Sequence, residues 1–166
     1  LHVSIEGGFV KSLERAVGRG CQTVQIFSSS PRGWYERDIK KEEATVFREK
    51  RQRLKIDPVI VHTKYLINTA SQNTSLWNKS VESLRLCLKN AGLLGADFVV
   101  THIGHAEDGY REQGIQRVAS AITALFENEG FEVKLLLENS AGAGNSIGHN
   151  FKELGGTGTK ISVKAI

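Results

Sequence analysis

The stretch "DPVIVHTKYLIN", residues 57–68, decides how this chain is read. Pro58–Val61 is a short apolar run with the character of a strand covered on both faces. It ends on a histidine, His62. Tyr65, Leu66 and Ile67 then follow where a polar loop is expected. The same arrangement recurs downstream. "DFVVT" (Asp97–Thr101) ends on His102, and "VKLLL" (Val133–Leu137) ends on Glu138. The intervals are about 40 and 36 residues, the length of one strand–helix unit each.

Helical periods fill the gaps. One helix is predicted from Leu76 to Gly92, with Val81, Leu84, Leu88 and Ala91 inward. The next has the clearest period, through Ile115, Val118, Ala119, Ile122, Leu125 and Phe126. Upstream, "LHVS" is a strand candidate. Phe9, Leu13, Ala16 and Val17 then share a helical face that Gly20 closes. Thr23–Phe27 is the second strand, "SSSPRGW" a loop, and Lys41–Leu54 a charged helix. Lys160–Val163 looks like a sixth strand.

Strands alternating with helices imply parallel units. Two α/β architectures fit: a doubly wound open sheet and a (β/α)8 barrel. Both place their chemistry at the carboxyl ends of the strands. The loop after the first strand has paired glycines, Gly7 and Gly8, but not the GxGxxG spacing of a dinucleotide-binding turn. That favours the barrel.

The totals set the frame. The 166 residues suggest one domain, and 40% apolar content is enough for an ordinary core. No apolar run approaches a membrane span, and no basic-then-apolar export signal opens the chain. Cys21 and Cys87 lack metal or redox spacing and read as reduced thiols of an intracellular protein. The formal charge of +4 is compatible with a polyanion but does not identify one. "REKRQRLK" (48–55) reads as the wet face of a helix.

Two imidazoles and a carboxylate at one rim form a common zinc-site set that leaves a position open for water. A single histidine at a strand end is more often structural. Three ligand-type residues at equivalent positions of consecutive strands favour a metal site at His62, His102 and Glu138. His105, in "THIGHA", is open between a further ligand, a residue orienting His102 and a plain loop residue, with the last two favoured. His2 is open between the same rim and a packed core position. His149 reads as structural, at the start of a helix. Arg32, Trp34, Tyr65 and Leu66 would stand on the metal rim. Apolar groups beside cations suit a nucleic acid whose stack is being opened. Capping of the barrel core by Trp34 and Tyr65 is the equal alternative.

"HVSxxGG", "QIFSSSPRGW", "HTKYLIN", "VVTHIG" and "LLLENSAGAGNSIG" together resemble endonuclease IV, a family of zinc-dependent apurinic/apyrimidinic endonucleases of the xylose-isomerase-like barrel superfamily. The resemblance runs from His2 to about Leu154. It implies a deoxyribonuclease of base excision repair that cuts DNA on the 5′ side of an abasic site, leaving a 3′-hydroxyl and a 5′-deoxyribose phosphate. It implies three zinc ions, with His62, His102 and Glu138 as ligands and Glu138 bridging two metals as the catalytic carboxylate. Arg32, Tyr65 and Leu66 would bind DNA at the lesion, with Ile67 and Asn68 fixing their loop. From their positions, and not from the resemblance, His2, His105 and Trp34 stand open as supports of the metal shell. The partner would be double-stranded DNA with abasic sites. The setting would be the cytoplasm or nucleoid of a bacterium, or the nucleus or an organelle of a eukaryote.

The chain departs from that family in extent. A full barrel has about 250 residues and eight strand–helix units. Residues 1–166 read as a single partial barrel domain of five units and the start of a sixth strand. It supplies ligands for about one zinc, so a truncated, poorly active piece of an endonuclease is expected. "HIGHA" also replaces the commoner HPG form. The competing functions are a sugar isomerase or epimerase of the same superfamily and an inactive fragment that binds DNA or zinc.

Overall fold

The computed structural model describes residues 1–156 and 164–165. The order is α1 (Phe9–Val17), β1 (Val24–Phe27), α2 (Lys41–Leu54), β2 (Val59–His62), α3 (Thr74–Leu94), β3 (Phe98–His102), α4 (Arg111–Glu129), β4 (Lys134–Glu138), α5 (Phe151–Gly156) and β5 (Lys164–Ala165). The strand expected over Lys160–Val163 lies outside the described residues.

Among the described residues the strands pair in parallel in the order β1-β2-β3-β4-β5. Every step adds the next strand on the same side. That is the winding of a barrel wall; a doubly wound sheet reverses direction at a switch point. The barrel architecture expected from the sequence is the one found, as a partial wall.

Strand periodicity sorts the side chains. Val24, Ile26, Val59, Val61, Val99, Leu135 and Leu137 join the helices in one buried core. Phe27, His62, His102 and Glu138 occupy the alternate positions, on the opposite, barrel-interior face. Phe9 and Phe47 meet edge to face at 6.1 Å and join α1 to α2. Each buried phenyl group contributes about 1.5–3 kcal/mol to folding. Asn73 caps α3, its side-chain oxygen accepting the Leu76 N–H at 3.0 Å.

Three local expectations change. "LHVS" forms only a single parallel bridge, His2 to Gln25. Gln25 exchanges backbone hydrogen bonds with Leu1 and Val3. The chain then turns away, the Ser4 hydroxyl accepting the Glu6 N–H and Gly7 and Gly8 taking positive φ. On α1 the buried stripe is Phe9, Ser12, Leu13 and Ala16, while Val17 is 42% exposed. The helical spacing places position 12 inward, and Ser12 satisfies its hydroxyl by donating to the Phe9 carbonyl. The helix ends at Val17, three residues before Gly20. Finally, "REKRQRLK" is not simply a wet face. Arg51 packs against the strand starts, donating to Asp97 at 2.7 Å and to Asp57, Ile56 and Gly95. Arg48 donates to the Leu93 carbonyl. These arginines lock α2 onto the α3–β3 turn, at the amino ends of the strands.

Candidate metal centre

The register brings three side chains together. Phe27 pairs with His62, and His62 with Val100. His102 pairs with Glu138. All lie at carboxyl ends on the interior face. Glu138 Oε2 is 2.9 Å from His62 Nε2 and 3.5 Å from His102 Nδ1. One ligand atom from each residue lies within 4.8 Å of the others.

The chemistry of this set can accept a cation. His62 Nδ1 is 2.7 Å from the Thr63 carbonyl, so that nitrogen carries the proton. In the neutral ring Nε2 is then a bare lone pair, facing a carboxylate oxygen. Either a proton on Nε2 or a metal ion would satisfy this pair of atoms. The two histidine–carboxylate separations bracket the roughly 3.4 Å edge of a tetrahedron built on bonds of about 2.1 Å. The residues fit a zinc-type ion. Burial lowers the His102 pKa; Glu138 opposes it, and the charges of His62 and His105 add to the lowering. The lowered pKa favours the neutral ring that metal ligation requires.

The surroundings sort the remaining candidates. His2 sits beside the centre, its ring 6.1 Å from His62 and 4.3 Å from Phe27. Its Nδ1 pairs with the Gln25 amide at 3.1 Å. Burial first, then the charges of His62 and the N-terminal amine, lower its pKa. His105 is exposed, and its backbone is fixed by Asn68. It lines a hollow of about 370 Å³ with Tyr65, His102 and Glu138. Tyr65 is 60% exposed and stands over the centre, its ring 5.4 Å from Phe27, 6.2 Å from His62 and 6.4 Å from His102. Such exposure does not suit a core cap. Ile67 is buried beneath the loop, Leu66 is half-buried and Arg32 is exposed. Trp34, expected beside the metal shell, instead lines a hollow with Asn78, Lys79 and Glu82 on the flank of α3. His149 precedes α5, within 3.2 Å of the Glu153 carboxylate, a structural place.

Sequence reading missed two residues. Lys64 is buried and paired with the buried side chain of Glu36 at 3.1 Å. Arg111 reaches across from α4 to Glu153, the Ser146 carbonyl and His149, fixing the loop that follows Glu138. Neither has a local signal, because the partners are far away in sequence.

The chain's sequence matches the xylose isomerase-like TIM barrel family over residues 13–161. A protein of Cenarchaeum symbiosum named probable endonuclease 4 is 45% identical over 157 residues, covering 93% of this chain and 55% of that protein. The crystal structure of endonuclease IV from Thermus thermophilus superposes with a TM-score of 0.88 at 32% identity, over 99% of this chain and 60% of that one. A D-tagatose 3-epimerase-like protein superposes with a TM-score of 0.73 at 21% identity, covering 96% of this chain and 60% of that one. That likeness carries the fold alone. The chain spans about half the length of the curated relatives it matches.

Proposed function

This chain belongs to the xylose isomerase-like TIM barrel family, and from that premise we propose that it supplies the DNA-facing rim and one metal subsite of a repair endonuclease. The reaction is hydrolysis of the phosphodiester on the 5′ side of an abasic site. The observation that carries this reading is the convergence of His62, His102 and Glu138 beneath an exposed Tyr65. The similarity to proteins named probable endonuclease 4 supports it.

His62, His102 and Glu138 would hold the zinc. When bound, zinc supplies positive charge that activates water and steadies charge on the phosphate. The protein's own residues do the rest. The Thr63 carbonyl orients the His62 ring. The Glu138 carboxylate lies between both imidazoles, where it can also receive a proton. Tyr65 offers an exposed aromatic face on which an opened base stack could rest, and Arg32 offers charge to the backbone. A missing base makes opening cheaper, so a rim that inserts side chains selects abasic sites. A sugar isomerase would enclose its small substrate, and the exposure of Tyr65 and Arg32 does not suit that.

The test is incision of a labelled duplex carrying one abasic site, with zinc, beside Glu138→Gln and chelator controls. Zinc stoichiometry is measured on the same samples. A preference for the abasic duplex and zinc uptake that Glu138→Gln removes are the expected results, with weak incision 5′ to the lesion that both controls abolish. Zinc-loaded, folded protein that neither cuts nor prefers the abasic duplex over an intact one would sink the reading.

A further inference from the structure

Lys64 occupies an unusual position for a lysine. Its side chain is 4% exposed, and that of its ion-pair partner Glu36 is 6% exposed. Its ammonium has three protons to donate, and three acceptors surround it. These are the Gly33 carbonyl at 2.8 Å, the Tyr35 carbonyl and Glu36 Oε1 at 3.1 Å. All three belong to the loop after β1, the loop that carries Arg32 and Trp34. Lys64 itself lies in the loop after β2, one residue before Tyr65. The Glu36 oxygen is also held from α3, where the Ser83 hydroxyl donates to it at 2.7 Å. The base of the first loop is pinned separately. Ser29 donates to the Tyr35 carbonyl and accepts the Arg37 N–H, and Asn90 donates to the Arg37 carbonyl.

A buried ion pair is a poor way to gain stability, because desolvation offsets much of the attraction. It is an effective way to fix geometry, since both charges tolerate only one arrangement. Lys64 has no other evident task. It points away from the metal ligands, into the neighbouring loop. We infer that Lys64 is a positioning residue for lesion recognition: through Glu36 and the Gly33 and Tyr35 carbonyls it sets the spacing between Arg32 and Tyr65, so that the two loops probe DNA as one rigid unit. This deepens the endonuclease reading and rests on it.

The consequences are specific. Removing the ammonium leaves the Glu36 carboxylate buried without its counter-charge, and its other oxygen already has no hydrogen bond among the described residues. The first loop should then swing free of the second. Arg32 loses its fixed offset from Tyr65, although neither has been mutated.

The experiment is a double-mutant cycle in the native, zinc-loaded polypeptide, using Lys64→Met, Arg32→Ala and the pair. Affinity is read for a duplex with one abasic site and for the intact duplex. Lys64→Met should weaken abasic binding roughly tenfold and leave intact-duplex binding and zinc content unchanged. Arg32→Ala should then cost nothing further in the Lys64→Met background, a non-additivity of the size that coupled sites show, about two- to hundred-fold. Additive losses would overturn the proposal, because Arg32 would then act at full strength without the Lys64 clamp. Amide exchange gives a readout independent of DNA. Lys64→Met should speed exchange at residues 33–36 and at 65–66 together, with β3 unchanged. Acceleration of one loop alone would overturn the coupling. If the wild-type protein shows no abasic preference, the endonuclease reading fails, and the exchange result decides the clamp by itself.

Discussion

Asn68 and Gly104 should behave as one unit, and the size of their coupling follows from the contacts. Asn68 Oδ1 accepts the His105 N–H at 3.0 Å and the Ala70 N–H at 3.2 Å, and its amide donates to the His105 carbonyl at 3.0 Å. This staples the loop after β2 to the loop after β3. Gly104 has φ +116°, and a Cβ there would lie 2.2 Å from Asn68 Oδ1. Three net hydrogen bonds at the low end of their range, since His105 is exposed, make Asn68→Ala cost about 1.5–3 kcal/mol. Gly104→Ala adds backbone strain of about 1–2 kcal/mol and displaces the same amide, for about 2.5–5 kcal/mol in total. In the double variant the staple is lost only once. Its cost should equal that of Gly104→Ala alone, a coupling of about 1.5–3 kcal/mol. Urea unfolding of the four proteins measures this. Additivity within about 0.5 kcal/mol would refute the shared-staple argument.

Other outcomes follow from the site and its supports. Glu138→Gln should weaken zinc binding at least about 100-fold by calorimetry while leaving the unfolding midpoint of the metal-free protein nearly unchanged, since the side chain is half-exposed. Tyr65→Ala should leave stability within about 0.5–1 kcal/mol but cost about tenfold in abasic-duplex affinity, the scale of one lost stacking face. Glu153 should contribute to the acid limb of stability. Burial alone would raise its carboxyl, but the Arg111 hydrogen bonds, the Gly148 N–H and the charges of Arg111 and His149 outweigh it and bring the pKa down to about 2. A carboxyl depressed on folding gives stability that is present above about 4.5 and lost as pH falls toward about 2. Glu153→Gln should flatten that limb; an unchanged slope between those pH values would remove Glu153 as its source.

The sequence carried the wall of the barrel because short apolar runs at regular intervals leave little alternative. Val59–His62, Phe98–His102 and Lys134–Glu138 each start one residue later than the apolar runs suggest, and each includes its polar final residue. Those final residues were legible because the metal-type side chains repeat at one structural position. Ser12 was not, since a serine in an apolar stripe looks like an error until its hydroxyl finds the Phe9 carbonyl. Lys64 was illegible for a stronger reason. A lysine in a loop reads as solvated, and the groups that neutralise it lie about thirty residues earlier, across a gap that only the β1–β2 pairing closes.

The offset between neighbouring strands makes the centre a reporter of assembly. His102 faces Glu138 directly, whereas His62 faces Val100, two residues short of His102. A slip of one residue in either ladder would turn a whole strand over and send its ligand into the helix layer. A misassembled sheet could keep its helices, its compactness and much of its hydrophobic burial. It could not keep three donor atoms in one place. If His62, His102 and Glu138 hold the proposed ion, its uptake would report correct strand register as well as chemistry.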